Sequence, residues 1–258
     1  MSVQELTAQP CWQAVDFISD LHLQASEAAT FNAWQLYMRT TTADAVFILG
    51  DLFEVWFGDD VLQVSGFEQQ CAAVIKHTSA RLPIFFMHGN RDFLVGSGLM
   101  AACNATLMDD PTVLTFNDHR WLLSHGDSLC IDDKSYMAFR QQVREPDWKQ
   151  TFLAKPFAER QSIARGLRQQ SQAQHDVKKH AGVGYADVDT STARQLLINT
   201  NSTTLIHGHT HKPAAHELGN GLRRMVLSDW DLAASPPRAD VLRLSNSGVA
   251  RLALINLL

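Results

Sequence analysis

Cysteine is scarce and scattered: the chain has four, Cys11, Cys71, Cys103 and Cys130, with no C-x-x-C pair. That spacing argues against a zinc knuckle or a disulfide framework, and it fits a reducing cytoplasm with small, buried or indifferent thiols. No apolar run approaches the roughly 20 residues that a membrane-spanning helix needs. The N-terminus lacks the basic-then-apolar pattern of a secretory signal, so secretion is not expected. No internal repeat or low-complexity segment stands out.

The composition that remains is ordinary for a globular protein. There are 258 residues, 45% apolar and 19% charged, enough for one sizeable core or a core with an inserted subdomain. The net charge of −5 hides an asymmetry: residues 134–180 hold ten Lys/Arg against four Asp/Glu, a balance of +6, and the remainder carries −11. A basic block inside an acidic protein points to an anionic contact, whether a phosphorylated substrate, a membrane surface or nucleic acid. Any single one of these charges serves equally well on a solvated helical face.

Five short polar motifs, each closing an apolar run, carry the chemistry: Asp20-Leu21-His22, Gly50-Asp51, Gly89-Asn90-Arg91-Asp92, His125-Gly126-Asp127 and His207-Gly208-His209-Thr210-His211. The preceding runs (15–19, 45–49, 84–87, 121–124 and 203–206) are short, β-branched and aromatic, as buried strands tend to be. Side chains just past the ends of neighbouring parallel strands converge on one crevice.

Strand and helix patterns alternate to about residue 130, which argues an α/β fold, with helices expected over 27–40 and 67–80. Residues 1–12 read as a loose arm or lead-in. Residues 132–187 are rich in Gln, Arg and Lys, carry apolar residues at helical intervals (Tyr136, Phe139 and Val143; Phe157, Ile163 and Leu167) and show no convincing strand. They read as a helical cap inserted between core segments 1–131 and 188–258. Strand signals return at 203–206, 224–227, 241–244 and 249–255, the last two joined as a hairpin around Asn246-Ser247-Gly248. The residues alone give a layered α/β/α domain with an inserted cap.

Asp20 and His22, two apart on an extended segment, lie on the same side and can share one ion. The carboxylate of Asp51 sits on a tight turn and can bridge two ions, one through each oxygen. Asn90 offers a carbonyl oxygen, His125 a ring nitrogen, and His207 with His209 a further same-side pair. Asp, Asn and His ligation without thiolate favours Mn, Fe, Zn or Co over Ca, and the nitrogen ligands count against a Mg-only site. Two such ions roughly 3.5–4 Å apart activate a water and stabilise charge on a phosphoryl group, so phosphoester or phosphoanhydride hydrolysis follows. His77, His88, His119, His180 and His216 lack this context and read as structural or surface residues.

In order and spacing these motifs resemble the calcineurin-like metallophosphoesterase superfamily over about residues 14–131 and 200–230. The resemblance implies a four-layer α/β/β/α sandwich. One ion would be held by Asp20, His22, Asp51 and His209, and the other by Asp51, Asn90, His125 and His207. Arg91 departs from the broad pattern, where a histidine often protonates the leaving oxygen. Arginine stays protonated and clamps phosphate instead, which suits a substrate whose leaving group is already good, such as one half of a pyrophosphate.

Gly89-Asn90-Arg91-Asp92-Phe93, residues 124–133, Gly50-Asp51-Leu52-Phe53-Glu54 and His207-Gly208-His209-Thr210-His211 resemble, more closely, the UDP-2,3-diacylglucosamine diphosphatase family of lipid A biosynthesis. That resemblance spans nearly the whole chain and implies hydrolysis of UDP-2,3-diacylglucosamine to UMP and 2,3-diacylglucosamine 1-phosphate (lipid X). It further implies two Mn2+ per chain, attack of metal-activated water on the uridine-side phosphorus, and peripheral attachment at the cytoplasmic face of the bacterial inner membrane. Asn90, Arg91 and His207 would be catalytic; Asn90, Arg91, Asp133, Ser171, His175, Lys178 and His207 would contact substrate. Asparagine is expected at the position of His175, and Ala181-Gly182-Val183-Gly184 also departs from the family pattern. Tyr136, Phe139, Trp148, Phe152, Leu153 and Phe157 supply apolar surface for acyl chains, with at least half of them expected to form the cap's own core. One rival is a nuclease or nucleotide phosphodiesterase on the same fold, but the acidic net charge speaks against nucleic acid as a partner. A metal-free scaffold is the other, and it should lack some of the seven ligands, all of which are present.

Overall fold

Alternation along single strands builds two sheets back to back. This computed structural model describes residues 3–180 and 187–254, and for 169–180 the helix backbone without the side chains. In chain order the described elements are β1 (Gln4–Thr7), β2 (Ala14–Ile18), α1 (Ala28–Thr40), β3 (Ala45–Leu49), α2 (Phe67–Ser79), β4 (Ile84–Met87), α3 (Ser97–Cys103), β5 (Thr106–Met108), β6 (Thr112–Phe116) and β7 (His119–Ser124). There follow α4 (Lys134–Arg144), α5 (Pro146–Leu153), α6 (Phe157–His180), α7 (Thr190–Asn199), β8 (Thr204–His207), β9 (Ala214–Gly219), β10 (Leu222–Val226), β11 (Asp240–Ser245) and β12 (Gly248–Ala253).

One six-stranded sheet runs β12-β11-β2-β3-β4-β5 and the other β1-β6-β7-β8-β10-β9. In β3 every residue is buried, as befits a parallel strand covered on both faces. Ala45, Phe47 and Leu49 join Phe17, Phe116, Leu123 and Ile206 in the layer between the sheets. Val46 and Ile48 point the other way, onto Trp34, Ile75 and Leu99 of the helices α1, α2 and α3. On the far side of the second sheet, Val113, Leu122 and Leu205 pack against Ala193 and Leu197 of α7. The result is the four-layer α/β/β/α sandwich. The three-layer reading of the residues alone fell short because period-2 alternation shows that a strand has two covered faces, not what covers each.

Local chemistry sets the helix ends. Asp133 and Asp189 cap α4 and α7 by accepting the amides of Tyr136 and Thr192, and Pro146 opens α5. The expected lead-in holds a strand: β1 pairs parallel with β6, adding an edge that its mostly polar Gln4-Glu5-Leu6-Thr7 does not announce. The C-terminal hairpin forms as β11 and β12, which pair antiparallel. Between β7 and β8 the described elements are helical, namely α4 to α7 and one short 3-10 turn. No described helix is long and apolar enough to cross a membrane.

Candidate metal centre

The motifs come together at the C-terminal ends of β2, β3 and β4 from one sheet and β7 and β8 from the other, so two sheets frame the crevice rather than one. Past the strand ends the chains stay in register: Asp20 N donates to Gly50 O (3.1 Å) and His22 N to Asp51 O (3.0 Å). Asp20 and His22 are not extended, as their spacing suggested. Both are left-handed (φ 57° and 49°), as are Asp51 (54°), His209 (66°) and His211 (53°). Asp and His tolerate this region better than most side chains, and such backbone clusters at functional sites. Gly89 has a steric reason: a Cβ there would lie 2.0 Å from Asp51 Oδ1.

Two groups of donors result. Asp20, His22 and His211 place ligand atoms within 4.8 Å of one another, as do Asp20, Asp51 and His125. Asp51 Oδ2 stands 3.7 Å from His125 Nε2 and 4.0 Å from His22 Nε2. Its other oxygen accepts the amide of Arg91 at 2.8 Å. Asn90 Oδ1 lies 3.0 Å from His125 Nε2 and 2.9 Å from His209 Nδ1. Asp20 Oδ1 is buried without a hydrogen-bond partner among the described residues, with His211 Nε2 at 3.4 Å and His211 Nε2 itself 3.3 Å from His22 Nε2. A buried, unbonded carboxylate oxygen ringed by imidazole nitrogens fits a cation. Burial pushes His209 down to about 4, leaving a neutral ring with a lone pair to offer.

Six of the seven expected ligands therefore meet: Asp20, His22, Asp51, Asn90, His125 and His209. The seventh, His207, does not. It ends β8, where Leu205 faces α7 and Ile206 the inter-sheet layer, so alternation turns residue 207 to the outer face with Leu205. Its Nδ1 lies 2.8 Å from Gly208 O, and Nε2 has no partner among the described residues. His209 and His211 lie beyond the strand end, where the left-handed turns swing both into the crevice. His209 joins Asn90 and His125, and His211 joins Asp20 and His22. Of the motif's three histidines, the one that ends β8 stays with the strand and the two beyond it reach the crevice.

Five further residues support the site. Asp92, fully buried, accepts the amides of Gly89 (2.8 Å) and Leu52 (2.8 Å), tying the Asp51 and Asn90 loops together; burial and the adjacent Asp51 charge raise its carboxyl above the usual range. Glu54 Oε2 lies 3.4 Å from His22 Nδ1, and its other oxygen pairs with Arg168 of α6. Tyr136 donates to Asp127 Oδ2. Of these, Asp92, Glu54 and Asp127 were legible as parts of their motifs.

The calcineurin-like phosphoesterase profile matches residues 14–213. A protein of Chromobacterium violaceum named UDP-2,3-diacylglucosamine hydrolase is 43% identical over 249 residues, covering 94% of this chain and all of that one. Proteins of the same name from Shewanella piezotolerans (42% identical, 83% of this chain and 89% of that one) and Cellvibrio japonicus (43%, 83% and 90%) are also similar. The chain belongs to the calcineurin-like phosphoesterases, in the UDP-2,3-diacylglucosamine hydrolase family.

In this phosphoesterase the remaining expected positions are distributed as follows. Arg91 is half-buried beside Asn90, and its Nε has no hydrogen-bond partner among the described residues. Asp133 Oδ1 accepts from Tyr136 N and Ser135 Oγ at the head of α4. Ser171, His175 and Lys178 fall on the backbone of α6, their side chains outside the described residues, and the 181–184 glycine segment lies outside them altogether. Of the cap aromatics, Phe152 is buried and stacks on Trp148 at 4.9 Å, and Phe157 meets Phe57. Phe139 and Leu153 are exposed. Among the histidines set aside, His88 binds Val95 O at 2.6 Å, and burial lowers it to about 4.

Proposed function

We propose that this chain hydrolyses the pyrophosphate of UDP-2,3-diacylglucosamine, giving UMP and 2,3-diacylglucosamine 1-phosphate in lipid A biosynthesis. What carries this reading is likeness along the entire length of a relative named UDP-2,3-diacylglucosamine hydrolase, combined with the convergence of donors from five separate motifs.

Asp20, His22, Asp51 and His211 would hold one ion; Asp51, Asn90, His125 and His209 the other. Carboxylate, amide and imidazole donors without thiolate suit Mn, Fe, Zn or Co, and of these the family resemblance favours manganese, two ions per chain. Bound there, such ions supply an activated water and stabilise charge at phosphorus. The chain's own contribution is placement. Arg91, with an unmatched buried Nε, grips a phosphate oxygen of the pyrophosphate. It needs to donate no proton, because the departing lipid phosphate is itself a good leaving group. Asn90 orients the phosphate beside it, and His209 occupies the position first given to His207.

Residues 132–187 act as the cap for the lipid half, and Asp133, Ser171, His175 and Lys178 are its candidate contacts to sugar and phosphate. The exposed Phe139 and Leu153 and the +6 balance of residues 134–180 support peripheral attachment to anionic lipid at the cytoplasmic face of the inner membrane. Hydrolysis of detergent-dispersed substrate in 18O-water should place the label in UMP. Label recovered only in the lipid phosphate refutes attack at the uridine-side phosphorus, and no turnover with Mn2+ present refutes the function.

A further inference from the structure

Three residues of α4 lie on one stripe, four apart: Tyr136, Arg140 and Arg144. Each meets a different part of the Asn90, His125 and His209 half of the centre. The Tyr136 ring stacks over the His209 ring, centroids 6.0 Å apart and planes 29° from parallel. Arg140 Nε donates to Asp127 Oδ2 at 2.8 Å, two residues beyond His125, and the Tyr136 hydroxyl donates to the same oxygen. Arg144 Nη2 donates to Gly89 O at 2.8 Å, the carbonyl of the peptide that leads into Asn90. It also stands 3.8 Å from Asp127 Oδ2 and over the Phe93 ring at 5.5 Å.

Among the described residues the Gly89–Arg91 backbone has three other fixed bonds, Gly89 N to Asp92 Oδ1, Arg91 N to Asp51 Oδ1 and Trp56 N to Arg91 O. All three come from the sandwich. Arg144 adds the fourth from the inserted helix, on the Gly89 carbonyl, where it sets the tilt of the peptide carrying Asn90. Asp127 is fully buried, and a buried carboxylate is stable only when paired; its cations come from α4. The same helix face thus fixes the turn after His125, the turn before Asn90 and the ring plane of His209.

We propose that Tyr136, Arg140 and Arg144 are positioning residues that shape the Asn90–His125–His209 half of the metal centre, so that the second ion's site is completed by the cap helix. This rests on the two-ion reading above. The Asp20–His22–His211 half receives no contact from this stripe among the described residues. Its cap contact is a different one, through Arg168 and Glu54.

The test strips the full-length protein with chelator and titrates it with Mn2+ by calorimetry and electron paramagnetic resonance. Wild type should take up two ions and show a spin-coupled pair. The Arg140→Gln/Arg144→Gln double variant should hold one ion at near wild-type affinity and bind the other ~10–100-fold more weakly, the range for a lost residue behind a ligand, with an uncoupled Mn2+ signal at intermediate loading. Arg144→Lys, which keeps a donor, should recover most of the loss seen in Arg144→Gln, and thermal unfolding should show each variant folded. Two tight ions in the double variant overturn the proposal, as does equal weakening of both ions or failure of lysine to rescue. A wild-type chain that binds fewer than two ions overturns the two-ion function as well.

Discussion

The amide of Arg91 donates to Asp51 Oδ1 at 2.8 Å and leaves Oδ2 as the oxygen of that carboxylate that faces both His22 and His125. The residue proposed to grip phosphate thereby holds, through its backbone, the carboxylate proposed to join the ions. Replacing Asp51 with Ala should remove metal uptake and turnover together, with kcat/KM down by roughly three orders of magnitude or more, about 4 kcal/mol at 1.36 kcal/mol per decade. Metal analysis and steady-state kinetics on one preparation check it; retained activity sinks the bridging assignment.

His211 and His207 make opposite predictions. His211→Ala should weaken Mn2+ binding at the Asp20–His22 side by ~10-fold or more, taking the lower figure for a disturbed metal site. His207→Gln, on the outer face, should leave binding of both ions within a few-fold of wild type. Calorimetric titration of the two variants decides between them, and the reverse ranking would restore His207 as a ligand.

Glu54 faces His22 Nδ1 with one oxygen and Arg168 with the other. A carboxylate behind a metal-binding imidazole fixes its ring plane and tautomer. Glu54→Gln should therefore raise the Mn2+ concentration needed for half-maximal activity by ~10–100-fold and leave KM for substrate less affected. Metal-dependence curves at saturating substrate test this; an unchanged curve rules out the orienting role.

Asp187 binds buried Arg224 with two hydrogen bonds, 2.8 and 2.9 Å, chiefly through which its carboxyl is held well below the usual range. A carboxyl whose folded pKa is depressed contributes stability above its unfolded value, about 3.9, and loses it as the pH falls through the folded value. Asp187→Asn should cost about 1 kcal/mol or less at pH 7, given its exposure. The gap to wild type should close below roughly pH 4. Denaturant melts across pH check the sign; a gap that widens in acid contradicts it.

Much of the fold was legible because its central strands are uniformly apolar runs ending in polar motifs, as in β3 before Gly50-Asp51. The division of the strands into two stacked sheets was not, since Phe47, Leu123 and Ile206, which pack between the sheets, are apolar whether they face a helix or another sheet. At the site, residue types gave six residues that meet in the crevice, yet whether His207 or His211 joins them turned on where β8 ends and on left-handed turns after it, which spacing alone cannot encode. Tyr136, Arg140 and Arg144 carry no motif. Their four-residue interval marks a helix stripe, but what the stripe touches is decided by tertiary packing.

The left-handed turns at Asp20, His22, Asp51, His209 and His211 select their residues twice, once for lone pairs and once for backbone. Glutamate or cysteine could bind metal but suit the turn poorly; asparagine or glycine suit the turn but ligate weakly or not at all. Descendants released from catalysis should therefore drift toward Asn and Gly at these five positions. That drift would separate retired copies from working ones by sequence alone.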